Sequence, residues 1–347
     1  MDKQTWGVMA LLGAVFVGML ALSSIASDEP GTQRAGATPT EPVASPTAPA
    51  SGESPTPSPT PSPDPVPTPT PSGVPDPSPA PTPAAPATLP GGRARVFADD
   101  RMLVAYYGTA GTGALGVLGE TSPDRMVRRL RRAAAPFERP RSKTQIVFEL
   151  IVTVADAHPG KGRDYNHDIA RAHVQRYIDA AHEHGALLLL DVQPGRADFL
   201  SVVRRWKWAL KDPYVGLALD PEWRMGRRGV PGRRIGSVSA DEVNRVSHWL
   251  KTLVATEDLP QKLFVVHQFR SSMIRDIHRV LPRRGLAMVQ HVDGFGTPGQ
   301  KLGTFQAVVR PRLFHLGFKL FYDEDRRLMR PGQVRAIRPR VSFVSYQ

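Results

Sequence analysis

From residue 93 onward the apolar positions of this chain fall into short runs, each followed by a polar or glycine-rich stretch and then by a segment with helical periodicity. Eight such runs occur: 103–107 (LVAYY), 146–154 (IVFELIVTV), 187–191 (LLLLD), 215–220 (VGLALD), 263–267 (LFVVH), 286–291 (LAMVQH), 315–321 (HLGFKLF) and 341–346 (VSFVSY). The segments between them carry helix signals. Ser122-Pro123-Asp124 offers an N-cap, a proline at the first helical position and an acid in the first turn, followed by Met126, Val127 and Leu130 on one stripe. Ser239-Ala240-Asp241-Glu242 has capping-box spacing ahead of Val243, Val246, Leu250, Leu253 and Val254. A third helix is predicted through Ile169, Val174, Tyr177, Ile178 and Ala181, stopping at Gly185.

Helical crossovers between near-continuous apolar strands imply a parallel sheet. Eight strands in about 255 residues match the size of a single (β/α)₈ barrel, and a chain that ends on its last strand favours closure over an open doubly wound sheet. The expected class is therefore α/β, a TIM-like barrel over residues 93–347.

The first 92 residues follow other rules. Residues 6–26 hold no charge behind Lys3, so residues 1–29 read as an export signal peptide or a retained membrane anchor. Of 35 prolines, 21 fall between Pro30 and Pro90. Residues 30–92 therefore read as a disordered Pro/Ser/Thr-rich tether that favours polyproline II over a packed core. The expected location is outside the cytoplasm, secreted or tethered to the membrane.

The chain has no cysteine, which excludes disulfides, thiolate metal centres and a thiol nucleophile. Residues 1–92 carry Lys3 and Arg34 against seven acids, so the formal charge of +13 becomes +18 on the remainder. Arginine clusters at 128–132 and 224–234 give that part a basic face. For an exported chain this suits an anionic wall polymer, and nucleic acid is not an expected partner.

In a barrel of this class the chemistry sits at the C-terminal ends of the strands. Polar residues collect there: Tyr106 and Tyr107 after the first run, Asp156 and His158 after the second, then Asp191, Asp220 with Glu222, His267, His291 with Asp293, Tyr322 with Asp323, and Tyr346. The sharpest segment is 217–223 (LALDPEW). Alternate strand residues share a face, so Asp220 and Glu222 point together, and two carboxyl groups at an apolar rim push one pKa upward. A carboxyl group that keeps its proton at neutral pH is what glycosidic cleavage asks of a general acid.

An Asp-x-Glu at the end of the fourth strand resembles the chitinase class of barrel glycoside hydrolases and the family 25 lysozymes, and Ser345-Tyr346-Gln347 is similar to the aromatic last strand of those lysozymes. The resemblance implies Glu222 as acid and Asp220 as its helper. It is local: Gly216 and Ala218 stand where the chitinase motif continues its acidic ladder, and Tyr106-Tyr107 stand where the lysozymes carry an aspartate.

The expected function is an exported glycoside hydrolase acting on cell-envelope polysaccharide. Glu222 and Asp220 are its catalytic pair, and Tyr107, Asp191, Trp223, His267, Asp293, Tyr322 and Tyr346 line the substrate site. The alternatives are a non-catalytic wall-polysaccharide binder and a metal-dependent hydrolase. No cofactor is expected. The G-x-G-x-x-G at 111–116 lacks the helix a dinucleotide fold needs directly after it. For a metal, His267, His291 and Asp323 lack the His-x-His that barrel metallohydrolases place on the first strand.

Overall fold

The computed structural model describes residues 86–347 apart from Lys161; the signal or anchor segment and nearly all of the tether lie outside the described residues. The strands, in chain order, are β1 Met102–Gly108, β2 Thr144–Ala155, β3 Asn166–Asp168, β4 Leu187–Val192, β5 Val215–Leu219, β6 Val238–Ser239, β7 Lys262–His267, β8 Ile274–Arg275, β9 Leu286–Val292, β10 His315–Leu320 and β11 Val341–Tyr346. Eight of them pair in parallel in the ring β1-β2-β4-β5-β7-β9-β10-β11, and the β1–β11 pairing closes it. The fold is a closed (β/α)₈-type barrel. Every one of the eight apolar runs became a barrel strand.

The helices are α1 Pro123–Ala134, α2 Arg171–His184, α3 Phe199–Arg205, α4 Lys207–Leu210, α5 Ala240–Thr256, α6 Pro298–Val308 and α7 Pro331–Ala336. Gly185 ends α2 in the left-handed conformation, as its position predicts. The capping box at α5 is only half formed. Ser239 accepts from the Glu242 backbone N–H, but the Glu242 carboxylate turns inward to accept from Phe199 N and Arg224 Nε, each at 2.9 Å. The crossover from β7 to β9 has no α-helix; two 3₁₀ turns and β8, which pairs with β6, take its place. A further short strand, β3, runs antiparallel along the end of β2.

Strand parity divides the barrel residues into two layers. Outward residues such as Val104, Phe148, Leu190, Leu217, Phe264 and Phe318 pack against the helices. Inward residues at the N-terminal end, including Leu103, Val147, Leu187, Leu263 and Phe343, form a separate apolar layer with Leu89 and Val96. Leu89 and Val96 come from the chain just ahead of β1 and stop the bottom of the barrel. Packing thus begins upstream of residue 93.

Lys262 belongs to this lower end. It is buried, and its Nζ donates to the carbonyls of Asp212 and Val215 at 2.6 and 2.8 Å. Burial lowers its pKa to about 7, with the Asp212 carboxylate working in the other direction. Between about pH 7 and the usual lysine value near 10.4 the unfolded chain holds a proton that the folded chain does not, so stability rises with pH across that window, and the full cost is present below it. Relative to wild type, Lys262→Met should therefore gain about 2–4 kcal/mol on going from pH 10 to pH 6. Chemical denaturation of both proteins at the two pH values measures this.

Candidate active site

The site follows from the same parity. A strand buried on both faces has no place for a charged side chain except a polar interior, and at the C-terminal end of this barrel the inward positions are Tyr107, Glu149, Asp191, His267, His291, Lys319 and Ser345. Asp220, Glu222 and Asp293 join them from just beyond the strands. Five carboxyl groups thus share one volume with two basic side chains, His267 and Lys319.

His267 is the centre of the network and fully buried. Its Nδ1–H donates to Asp293 Oδ2 at 3.0 Å and its Nε2–H to Glu149 Oε1 at 3.1 Å, with Asp191 Oδ2 3.3 Å from Nε2. Burial opposes the charged ring, but the bonds to Asp191, Asp293 and Glu149 outweigh it and hold the imidazole protonated well above its usual range. His291, on the adjacent strand, is driven the other way by burial and by His267, and is held neutral. Its Nε2 lies 2.7 Å from Ser345 Oγ. Lys319 Nζ sits 3.3 Å from the centre of the Tyr107 ring, a cation–π contact, and Gln193 Nε2 donates to the Tyr107 hydroxyl at 3.3 Å.

The Asp220-Pro221-Glu222 step leaves the strand where the alternation expected it to continue, since β5 ends at Leu219. Asp220 leaves β5 extended, its Oδ1 accepts from Glu222 N at 3.3 Å, and Pro221–Trp223 form a single 3₁₀ turn. Asp220 is buried, and burial raises its pKa well above the usual carboxyl range. Glu222 stands at the rim, partly exposed. Burial first, and then Asp293, raise its pKa to about 8, while Lys319, His267 and Arg270 pull it down. Arg224 does not lock Glu222, because its Nε is engaged by Glu242. The arginine-rich loop that follows is tied down by Gly236 N on Glu222 O, Met225 N on Gly195 O and Arg196 Nε on Gly229 O, at 2.6, 2.6 and 2.7 Å, leaving Arg227, Arg228, Arg233 and Arg234 exposed.

Of the residues expected at one site, Tyr107, Asp191, Asp220, Glu222, His267 and Asp293 do converge. Tyr322 and Tyr346 do not. They stack on each other at 5.2 Å with Tyr106 edge-on to both, and Tyr106 and Tyr346 lie in the layer between barrel and helices. The reason is parity: Ser345 points inward, so Tyr346 points out. Trp223 is buried with 9% of its surface exposed, leaving little of the ring to stack on a sugar. Asp156 is bonded to the exposed His167 over β3 instead of entering the barrel. Glu149 and Lys319 were missed, although each is a lone charge inside an apolar run, and that pattern in a doubly buried strand marks an inward polar position.

The glycine-rich segment 111–116 follows β1 at the C-terminal end of the barrel. Two 3₁₀ turns, Gly113–Leu115 and Val117–Glu120, precede α1. At Gly116, φ is 128° and a Cβ would collide with the Tyr107 carbonyl. A cleft of about 350 Å³, lined by Phe97, Arg101, His315 and Arg340 among others, lies at the opposite end of the barrel. No described helix is long and apolar enough to cross a membrane.

No family model matches the chain, and no curated protein does either. Among solved structures, one described as "Complex structure of GH113 beta-1,4-mannanase" is similar, with 11% identity and a TM-score of 0.37 over 71% of this chain and 86% of that one.

Proposed function

We propose that this chain is an exported carbohydrate-active barrel of glycoside hydrolase type, acting on cell-envelope polysaccharide, with Glu222 as general acid and Asp220 as its partner. One observation carries the reading: Glu222 stands partly exposed at the rim of a carboxyl-rich barrel mouth and keeps its proton up to about pH 8. An acid that is accessible and still protonated at neutral pH can protonate a leaving glycosidic oxygen. Asp220 assists it by accepting from the Glu222 backbone N–H, which fixes the turn that carries the acid. The exposed arginines of the following loop suit anionic substituents on the polymer. The uncharged segment at residues 6–26 is the ground for export.

Incubating the purified full chain with wall polysaccharides and assaying for new reducing ends tests this. Release of soluble sugar is the expected result. Retention of the chain on the polymer with no new reducing ends would replace the enzyme by a wall-binding module.

A further inference from the structure

We propose that the interior of the barrel mouth is a divalent cation site built from Glu149, Asp191, His267 and His291, with Asp293 orienting His267 from behind. One ligand-type atom from each of Glu149, His267 and His291 lies within 4.8 Å of the others, and all three residues are fully buried. Ligands held by one ion at about 2.0–2.2 Å lie roughly 3 to 3.5 Å from one another. His267 Nε2 is 3.1 Å from Glu149 Oε1 and 3.3 Å from Asp191 Oδ2, which fits two edges of such a shell. The other ring nitrogen donates to Asp293 at 3.0 Å, the carboxylate–histidine arrangement that fixes a metal-ligating imidazole.

A separate observation points to the same place. Glu149 Oε2, Asp191 Oδ1 and Asp293 Oδ1 are buried acceptors without a hydrogen bond. Buried polar atoms are almost always satisfied, and neighbouring carboxyl oxygens can be satisfied together only by donors or by a cation. An ion here takes the place of the proton on His267 Nε2 and balances the excess of acids over bases. Two imidazoles with two carboxylates suit a first-row ion such as Zn²⁺ better than Mg²⁺, which prefers oxygen ligands. The site does not depend on the role of Glu222, because metal content and sugar release are measured separately.

The full chain, treated with EDTA, desalted and titrated with Zn²⁺, should take up one ion per molecule by elemental analysis, with Mg²⁺ failing to compete. Glu149→Gln and His291→Gln, checked for folding by circular dichroism, should each weaken Zn²⁺ binding at least about tenfold. The exposed group Asp124, Glu183 and His184 carries similar donors on the outside, so His184→Ala should leave the uptake unchanged. Should the interior variants fail to fold, Co²⁺ in the His184→Ala protein decides: intense visible absorption is expected from nitrogen ligation within the barrel. Failure of the wild type to bind Zn²⁺, loss of binding in His184→Ala, full binding in folded Glu149→Gln and His291→Gln, or a Co²⁺ protein without that absorption would overturn the proposal.

Discussion

Polysaccharide cleavage should fall about tenfold for each unit of pH above about 8. Glu222 must carry its proton to act as an acid, its pKa lies near 8, and the protonated fraction drops tenfold per unit beyond that. The sign follows from the groups around it. Burial and Asp293 keep the proton on, while Lys319, His267 and Arg270 favour its loss without prevailing. The profile of kcat/KM should be recorded with EDTA present, because a divalent cation lower in the barrel would move the limb to lower pH. Asp293→Asn removes the largest neighbouring charge that holds the proton on, so the limb should shift to lower pH in that variant. An alkaline limb unmoved by Asp293→Asn would assign the profile to another group.

Gly317→Ala should destabilise the barrel by several kcal/mol. Gly317 faces into the barrel on β10 opposite His291, and a Cβ there would overlap His291 Nδ1. His291 cannot move aside freely: its Nε2 is bonded to Ser345, and its ring packs 4.6 Å from Phe343 and 5.1 Å from His267. Overpacking a filled core costs about 1–3 kcal/mol, and losing the Ser345 bond adds about 1 kcal/mol. For a domain of this size the melting temperature should fall by roughly 4–16 °C. Calorimetry of the variant measures it. A melting point within a degree or two of wild type would mean that His291 is not held as described.

Much of this architecture was legible in the sequence because each strand of a parallel barrel is buried on both faces and reads as an uninterrupted apolar run. The runs at 187–191 and 263–267 coincide almost residue for residue with β4 and β7. The crossover from β7 to β9 was less legible. Segment 271–279 has no helical stripe, and its backbone bonds go to 3₁₀ turns and to the β6–β8 pair. At the site, the Asp220–Glu222 step was legible because two acids directly after an apolar strand stand out, although they sit at the 3₁₀ turn that follows β5 and not on the strand. The placement of Tyr322 and Tyr346 was not legible from position at a strand end alone, since parity decides which way a residue there points. Val344 and Tyr346 share the outer face, while Phe343 and Ser345 share the inner one. Applying the same alternation through 146–154 and 315–321 would have turned Glu149 and Lys319 inward and shown the whole charged interior. The half-formed capping box at Glu242 was not legible, since Arg224 and Phe199, which draw its carboxylate away, reach it only through the folded chain.

Glu222 is the acid on which the proposed cleavage depends, and the most direct measurement is the rate of reducing-end release by wild type and by Glu222→Gln on the same polysaccharide, with binding of both proteins to that polymer measured alongside. Glutamine keeps the shape of the side chain and has no acidic proton. The expected result is a loss of about 10²–10⁴ in kcat with polymer binding retained. A Glu222→Gln protein that releases sugar at the wild-type rate would contradict the assignment.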